Sequence, residues 1–175
     1  MIGSVLTLFK TLIEIILLRK GPNHIPHSML LLMVVAAIWF LVGIVAVMVI
    51  ETYKSASLSI DLILAIAGLG FYAILVNSFG HSARLVRCFT ALLGCAIVFS
   101  VVIYAGRLIL PLWITPGETE WAVQFIWLWS IPVEGHIIAR TIDRQWVIGF
   151  VIALAVLFAQ LQLYGVLKPM LGPAV

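Results

Sequence analysis

The stretch MLLLMVVAAIWFLVGIVAVMVI, residues 29–50, decides the class of this protein because 22 consecutive residues carry no charge. Three further stretches, residues 62–80, 88–106 and 146–167, each run for 19 or more residues without a charged side chain. About 20 apolar residues in a helix span the roughly 30 Å hydrocarbon layer of a bilayer. The sequence therefore predicts an all-α polytopic membrane protein.

Length and composition leave no room for a soluble domain beside these stretches. The chain has 175 residues, of which 64% are hydrophobic, and its formal net charge is +3. The basic residues are scattered over short connections, where they set topology and contact lipid head groups. No basic and aromatic platform lies outside the predicted membrane segments, so we expect the bilayer as a partner and no nucleic acid.

Five spans are predicted, at residues 29–50, 59–80, 88–109, 121–139 and 146–166. The fourth span carries Pro132 and Glu134 and barely reaches across the hydrocarbon layer. The expected organisation is a cytoplasmic helix and linker over residues 1–27, a five-helix transmembrane domain over residues 28–167, and a short periplasmic tail over residues 168–175.

Charge asymmetry supports five spans and sets their direction. Five spans place seven basic residues on one side: Lys10, Arg19, Lys20, Arg84, Arg87, Arg140 and Arg144. The other side receives three, which are Lys54, Arg107 and Lys168. The positive-inside rule then places the N-terminus in the cytoplasm and the C-terminus in the periplasm of a bacterial inner membrane. Removing the fourth span would export Arg140 and Arg144 and weaken this asymmetry.

Residues 2–18 are predicted to form an amphipathic helix that lies in the membrane interface. Polar side chains recur every three or four residues and share one face, at Ser4, Thr7, Lys10, Thr11 and Glu14. Burying two charges in a span costs more than lying at the surface. We therefore expect this polar face to meet water, and Leu8 and Leu12 to meet lipid.

Two charged residues, Asp61 and Arg107, lie within spans at the same predicted depth near the outer surface. Asp61 is 19 residues before Gly80, and Arg107 is 19 residues after Cys88. Consecutive antiparallel spans would bring the two together, so we expect a structural ion pair rather than a transport role. Glu118 is a rival partner for Arg107.

Glu134 is the sharpest candidate site. It lies six residues before Arg140, roughly 9 Å inside the end of its span. The bases predicted to lie near it are His81, Arg84, Arg87, Arg140 and His136. A nearby base would make Glu134 a structural carboxylate, which is the expected outcome. Without such a base, Glu134 would suit proton or ligand binding.

No metal, cofactor or catalytic pattern accompanies the spans. His24 and His27 form a His-x-x-His pair in a proline-containing linker, which is a weak metal signal. Cys88 and Cys95 are seven residues apart in one predicted helix, roughly 10 Å along its axis, which is too far for a disulfide. We therefore expect no cofactor, no metal and no enzymatic activity.

One short segment suggests a family. Residues 17–22 read Leu-Leu-Arg-Lys-Gly-Pro, and Pro26 precedes the first span. With five spans and an N-terminal helix, this pattern resembles bacterial Yip1-like proteins and small inner-membrane proteins that carry an Arg-Lys-Gly-Pro turn. The resemblance implies a helical membrane adaptor and assigns no catalytic residue. The Asp-Leu-Tyr-Gly-Pro type of signature of eukaryotic Yip1 members is absent.

Small size, short loops and the lack of motifs favour a non-enzymatic accessory, scaffold or assembly subunit of a membrane complex. Its partners would be other integral membrane subunits or further copies of itself. The alternative is a small transporter or permeation subunit that uses Glu134. Such a subunit would need to oligomerise, because five helices enclose little space.

Overall fold

The computed structural model describes residues 2–49 and 58–171, and every regular element in them is helical. Six α-helices follow one another: α1 (Ile2–Ile16), α2 (Met29–Val49), α3 (Leu58–Ser78), α4 (Leu85–Ile109), α5 (Pro116–Thr141) and α6 (Trp146–Leu171). Three short 3₁₀ turns, Pro22–His24, Ser82–Arg84 and Leu110–Leu112, lie in the connections.

Helices α2 to α6 are each long and apolar enough to cross a membrane, which confirms the five predicted spans. The fourth is longer than predicted, because α5 begins at Pro116 rather than at residue 121. Thr115 caps the helix: its backbone N–H donates to Glu118 Oε2 at 2.9 Å, and its hydroxyl accepts from the Glu118 N–H at 3.4 Å. This reciprocal capping box adds more than a turn, so the helix crosses the bilayer easily.

The bundle has two ends, which we call face A and face B. Face A holds residues 79–84 and 142–145, and face B holds residues 110–115. Arg84 fastens the two connections at face A, since its Nη1 donates to the Thr141 carbonyl oxygen at 3.0 Å and to Asp143 Oδ2 at 2.6 Å. The densest core lies near this face and contains Ile15, Ile25, Val76, Cys88, Ile137 and Ile138, each at most 1% exposed.

Helices α5 and α6 form the closest pair in the bundle. A methyl group added at Gly149 would overlap the carbonyl oxygen of Gly135 and come within 2.7 Å of Ala139 Cβ. A methyl group at Gly135 would lie 2.6 Å from Phe150 Cα. Small residues let helix backbones approach in a membrane, where packing rather than hydrophobicity drives association. The α5–α6 hairpin is therefore the most closely packed helix pair of the described domain.

The remaining helices are not arranged in chain order. Helix α4 packs between α2 and α5, whereas α3 packs mainly on α6. Consecutive helices α3 and α4 thus touch only slightly. This arrangement leaves a crevice beside α3, and the candidate site lies in it.

Helix α1 packs against the bundle, and its polar face is exposed only in part: Thr7 and Lys10 are exposed as expected, whereas Thr11 is buried. Thr11 is only 7% exposed, and its hydroxyl donates to the Thr7 carbonyl oxygen at 2.9 Å. Leu12, expected to meet lipid, is 7% exposed and packs over Gly94 of α4, where the missing side chain leaves room for it. The predictions for Thr11 and Leu12 are therefore wrong, because helical periodicity cannot reveal a receiving surface on another helix.

The chain after α1 returns to face A along α5. Trp129 Nε1 donates to the Ile16 carbonyl oxygen at 3.1 Å, and His136 Nε2 lies 3.0 Å from the Lys20 carbonyl oxygen. Lys20 Nζ also contacts Glu14 Oε2 at 2.7 Å. This ion pair lowers the pKa of the Glu14 carboxyl below its usual value. Residues 14–21 are therefore held by specific polar contacts and not by apolar packing alone.

Candidate functional site

Glu134 meets a hydroxyl group and not a base. The hydroxyl of Tyr72 on α3 donates to Glu134 Oε2 on α5 at 3.1 Å. Tyr72 lies six residues before the end of α3, and Glu134 seven residues before the end of α5. At 1.5 Å per residue both lie roughly 10 Å inside face A, so the bond joins two parallel helices at one depth.

Two of the bases expected near Glu134 are engaged at face A instead. Arg84 pairs with Asp143 at 2.6 Å, and His81 Nε2 lies 3.9 Å from the same carboxylate. Asp143 thus takes the partners that we had predicted for Glu134. It belongs to the short α5–α6 connection, which lies beside residues 79–84 and outside the hydrocarbon depth, where an ion pair is cheaper to keep.

The other expected bases are also directed elsewhere. The His136 ring lies against the Lys20 carbonyl oxygen, and the Arg140 side chain covers Gly21. Arg87 Nε is buried with no hydrogen-bond partner in the part of the chain that the structure describes. Within that part no ion pair involves Glu134. The expected structural pairing of Glu134 with a base is therefore wrong.

A groove of about 420 Å³ opens beside Glu134, between α3, α5 and α6. Its polar lining consists of Asp61, Ser130, Glu134, Gln160 and Tyr164, and most of the remaining lining is aliphatic. Asp61 is in the first turn of α3 near face B, and Tyr72 marks the depth of Glu134 on the same helix. The groove therefore runs from near face B to roughly 10 Å inside face A.

Gln160 connects the two walls of the groove. Its amide Nε2 donates to the Leu64 carbonyl oxygen of α3 at 3.0 Å. Gly68 makes this possible, because a methyl group there would lie 2.5 Å from the Gln160 amide nitrogen. A side-chain amide that bonds to backbone across a membrane interface fixes the spacing of two helices. This hydrogen bond therefore sets the distance between α3 and α6 along the groove.

Two smaller cavities share residues with the groove. One of about 180 Å³, between α2, α3 and α4, includes Asp61 and Ser100 in its lining. The other, of about 160 Å³, lies between α4 and α5 and includes Ser100, Ser130 and Glu134. Polar side chains therefore face successive cavities in the middle and the face B half of the bundle.

Arg107 and Asp61 do not form the expected pair. Arg107 Nη2 contacts Glu120 Oε2 in the first turns of α5 at 3.0 Å. No ion pair between Asp61 and Arg107 is present in the described part of the chain, and Glu118 is engaged by Thr115. The expected pairing is wrong because it assumed that consecutive helices pack together, whereas α4 packs on α5 and α3 packs on α6.

Sequence reasoning passed over Ser130 and Tyr164 of the groove lining. It also missed the two residues that link helices at the site, Tyr72 and Gln160. Both are polar side chains near the middle of apolar spans, and that position alone could have singled them out. Within residues 2–49 and 58–171, no three His, Cys, Asp or Glu side chains converge as a metal site would require. The arrangement can offer a carboxyl group, an amide and hydroxyl groups to a ligand inside the membrane.

Comparison of the chain with protein-family models, curated proteins and solved structures finds no match. The resemblance of residues 17–28 to Yip1-like proteins therefore stays a prediction.

Proposed function

We propose that this chain is a small non-enzymatic transporter or permeation subunit in which Glu134 binds the transported species. The observation that carries the proposal is that Glu134 lines an open groove with a hydroxyl, and not a base, as its partner in the described structure. A carboxyl group inside a membrane helix is expensive and is rarely kept without a purpose. The ion pair that would have explained Glu134 structurally is made by Asp143 instead.

The groove beside Glu134 extends toward face B, where Asp61 and Tyr164 belong to its lining. Between Glu134 and face A lie fully buried side chains, among them Val76, Cys88 and Ile137. Passage to face A would require α3 to move relative to α5, and the Tyr72–Glu134 bond would break in that step. A carboxyl group inside the bundle that is reached from each end in turn is what an alternating mechanism needs.

Proton flux into liposomes tests this proposal. Purified protein is reconstituted with a pH-sensitive dye inside the vesicles, and acidification is followed under a membrane potential. We expect flux with the wild-type protein and its loss in Glu134→Gln. Glu118→Gln is the matched control, because it makes the same change on the same helix and glutamine preserves the capping box. Equal flux in Glu134→Gln, or none above empty liposomes in the wild type, would contradict the proposal.

A second candidate function is that of an accessory subunit, which the exposure of α2 favours. Only 11% of the Met29–Met48 segment is buried within the chain. Apolar side chains such as Met33, Leu41 and Met48 point outward, at 57–72% exposure. A photo-crosslinker at Leu41 should give a discrete protein adduct if α2 docks on a subunit, whereas a crosslinker at Phe158 of α6 should give lipid adducts. Lipid adducts alone at both positions would contradict it.

For location we propose a bacterial inner membrane with face A in the cytoplasm. Face A carries Arg19, Lys20, Arg84 and Arg144, in keeping with the positive-inside rule. Reporter fusions after Thr115 and after Met170 should both be active outside the cytoplasm. A cytoplasmic C-terminus would contradict this orientation.

A further inference from the structure

We infer that the groove between α3, α5 and α6 binds lipophilic organic cations, with Glu134 as the counter-charge. The inference rests on the proposed function and names the chemical class of its ligand. Among the described residues, the lining contains two carboxyl groups, Asp61 and Glu134, and no Lys, Arg or His. Charge complementarity therefore selects a cation over an anion or a neutral lipid.

The size and surface of the groove select an organic cation over an inorganic one. A volume of about 420 Å³ falls in the range of small-molecule sites, which are mostly apolar with a few placed polar groups. Leu64, Leu157 and Leu161 supply such an apolar wall. A metal ion would need several converging oxygen ligands, and it would not need a cavity of this volume.

An aromatic side chain two helical turns before Glu134 on α5 completes the site. Trp127 lines both the groove and the cavity on the other side of Glu134, and it is 38% exposed. A cation over the face of a tryptophan ring is attracted by the ring quadrupole, and quaternary ammonium groups are recognised in this way. Tyr164 at the other end already lies under Lys168 Nζ, which is 5.7 Å from the ring centroid. Trp127 is therefore the aromatic partner that we assign to the ligand.

The position of the groove suits a ligand that arrives through the bilayer. Asp61 and Glu134 lie at different depths, because Asp61 is 11 residues before Tyr72, or roughly 16 Å along α3. An amphiphilic cation that partitions into the face B leaflet would meet Asp61 first. It would then replace the Tyr72 hydroxyl at Glu134.

Binding of tetraphenylphosphonium to the purified full chain in detergent tests the inference, with tetraphenylborate as an anion of the same shape. We expect tetraphenylphosphonium to bind the wild-type protein, and tetraphenylborate to bind at least about tenfold more weakly. Glu134→Gln and Trp127→Leu should each weaken phosphonium binding by about tenfold or more. Glu118→Gln should leave it unchanged. Thermal unfolding of each variant shows whether it is folded.

Three results would overturn the inference. The first is equal binding of both ions, and the second is equal phosphonium binding by the wild type and a folded Glu134→Gln variant. The third is a phospholipid or a second copy of the chain that native mass spectrometry finds bound and that phosphonium does not displace. Proton flux that depends on Glu134 without phosphonium binding would overturn the ligand class alone. Absence of proton flux in the wild type would overturn the proposed function, whether or not phosphonium binds.

Discussion

The hydroxyl of Tyr72 donates a hydrogen bond to Glu134 Oε2 over 3.1 Å. This bond joins α3 to α5 at the end of the groove that is nearer face A. Helix α3 otherwise packs mainly on α6. This bond is therefore a specific link between α3 and the closely packed α5–α6 hairpin.

Replacing Tyr72 by phenylalanine should lower the free energy of unfolding by about 0.5–2 kcal/mol, the range for side-chain hydrogen bonds between membrane helices. The ring is retained, so the loss reports on the hydroxyl group alone. Unfolding in mixed micelles measures it. In the double variant with Glu134→Gln, the loss from Tyr72→Phe should shrink, because the pair no longer interacts in the same way. Fully additive losses would show that the bond contributes nothing.

Substitution of Gly149 by alanine should destabilise the α5–α6 hairpin by about 1–3 kcal/mol or more. The added methyl group would overlap the Gly135 carbonyl oxygen, which is backbone and cannot move aside. Gly165→Ala on the same helix is the matched control, since nothing lies within 4 Å of a methyl group there. Thermal unfolding in detergent should separate the two variants, and equal stabilities would refute the close packing.

Ile15→Ala should loosen α1 from the bundle at a cost of about 2 kcal/mol or more. Ile15 is 0% exposed, whereas Leu6 on the same helix is 68% exposed. Leu6→Ala should therefore have little effect on stability. Limited proteolysis between residues 16 and 25 provides the measurement, with faster cleavage expected only for Ile15→Ala. Identical cleavage of both variants would indicate that α1 lies on the membrane surface, as the sequence alone suggested.

The Lys20–Glu14 ion pair should hold residues 14–20 at neutral pH and release them in acid. The folded-state pKa of Glu14 is lowered from 4.5, so the stabilisation is complete above that value and is lost as pH falls through the lower folded value. Both side chains are partly exposed, at 38% and 25%, so we expect a small effect that salt weakens. The protection factors of residues 17–21, which are hydrogen-exchange rates corrected for the slower intrinsic exchange in acid, should fall in acid for the wild type. Glu14→Gln should show the lower protection already at neutral pH, and wild-type protection equal to that of this variant at every pH would contradict the assignment.

The sequence by itself determined the number of membrane helices and most of their limits, although α4 begins three residues early, α5 begins five residues early, and α6 continues five residues further, into the predicted tail. An uncharged run such as residues 29–50 has one stable solution in a bilayer, because a helix satisfies every backbone polar group within itself. Even the uncertain fourth span is confirmed, and its early start at Pro116 follows from a local capping box that the sequence contains. Glu134 was also found from sequence, since a charge inside a span is conspicuous wherever the helix packs.

Only the tertiary structure decided which side chains meet. Glu134 pairs with Tyr72 and not with a base, Arg107 pairs with Glu120 and not with Asp61, and Leu12 packs over Gly94 and not in lipid. Each result depends on which helices are neighbours, and that order is set by shape. The contact of Gly135 with Gly149 brings α5 and α6 together, and Gly68 admits Gln160 between α3 and α6. Lipid is as apolar as the helix surfaces, so hydrophobic periodicity gives no direction to the packing, and small residues distributed over distant parts of the chain choose the partners.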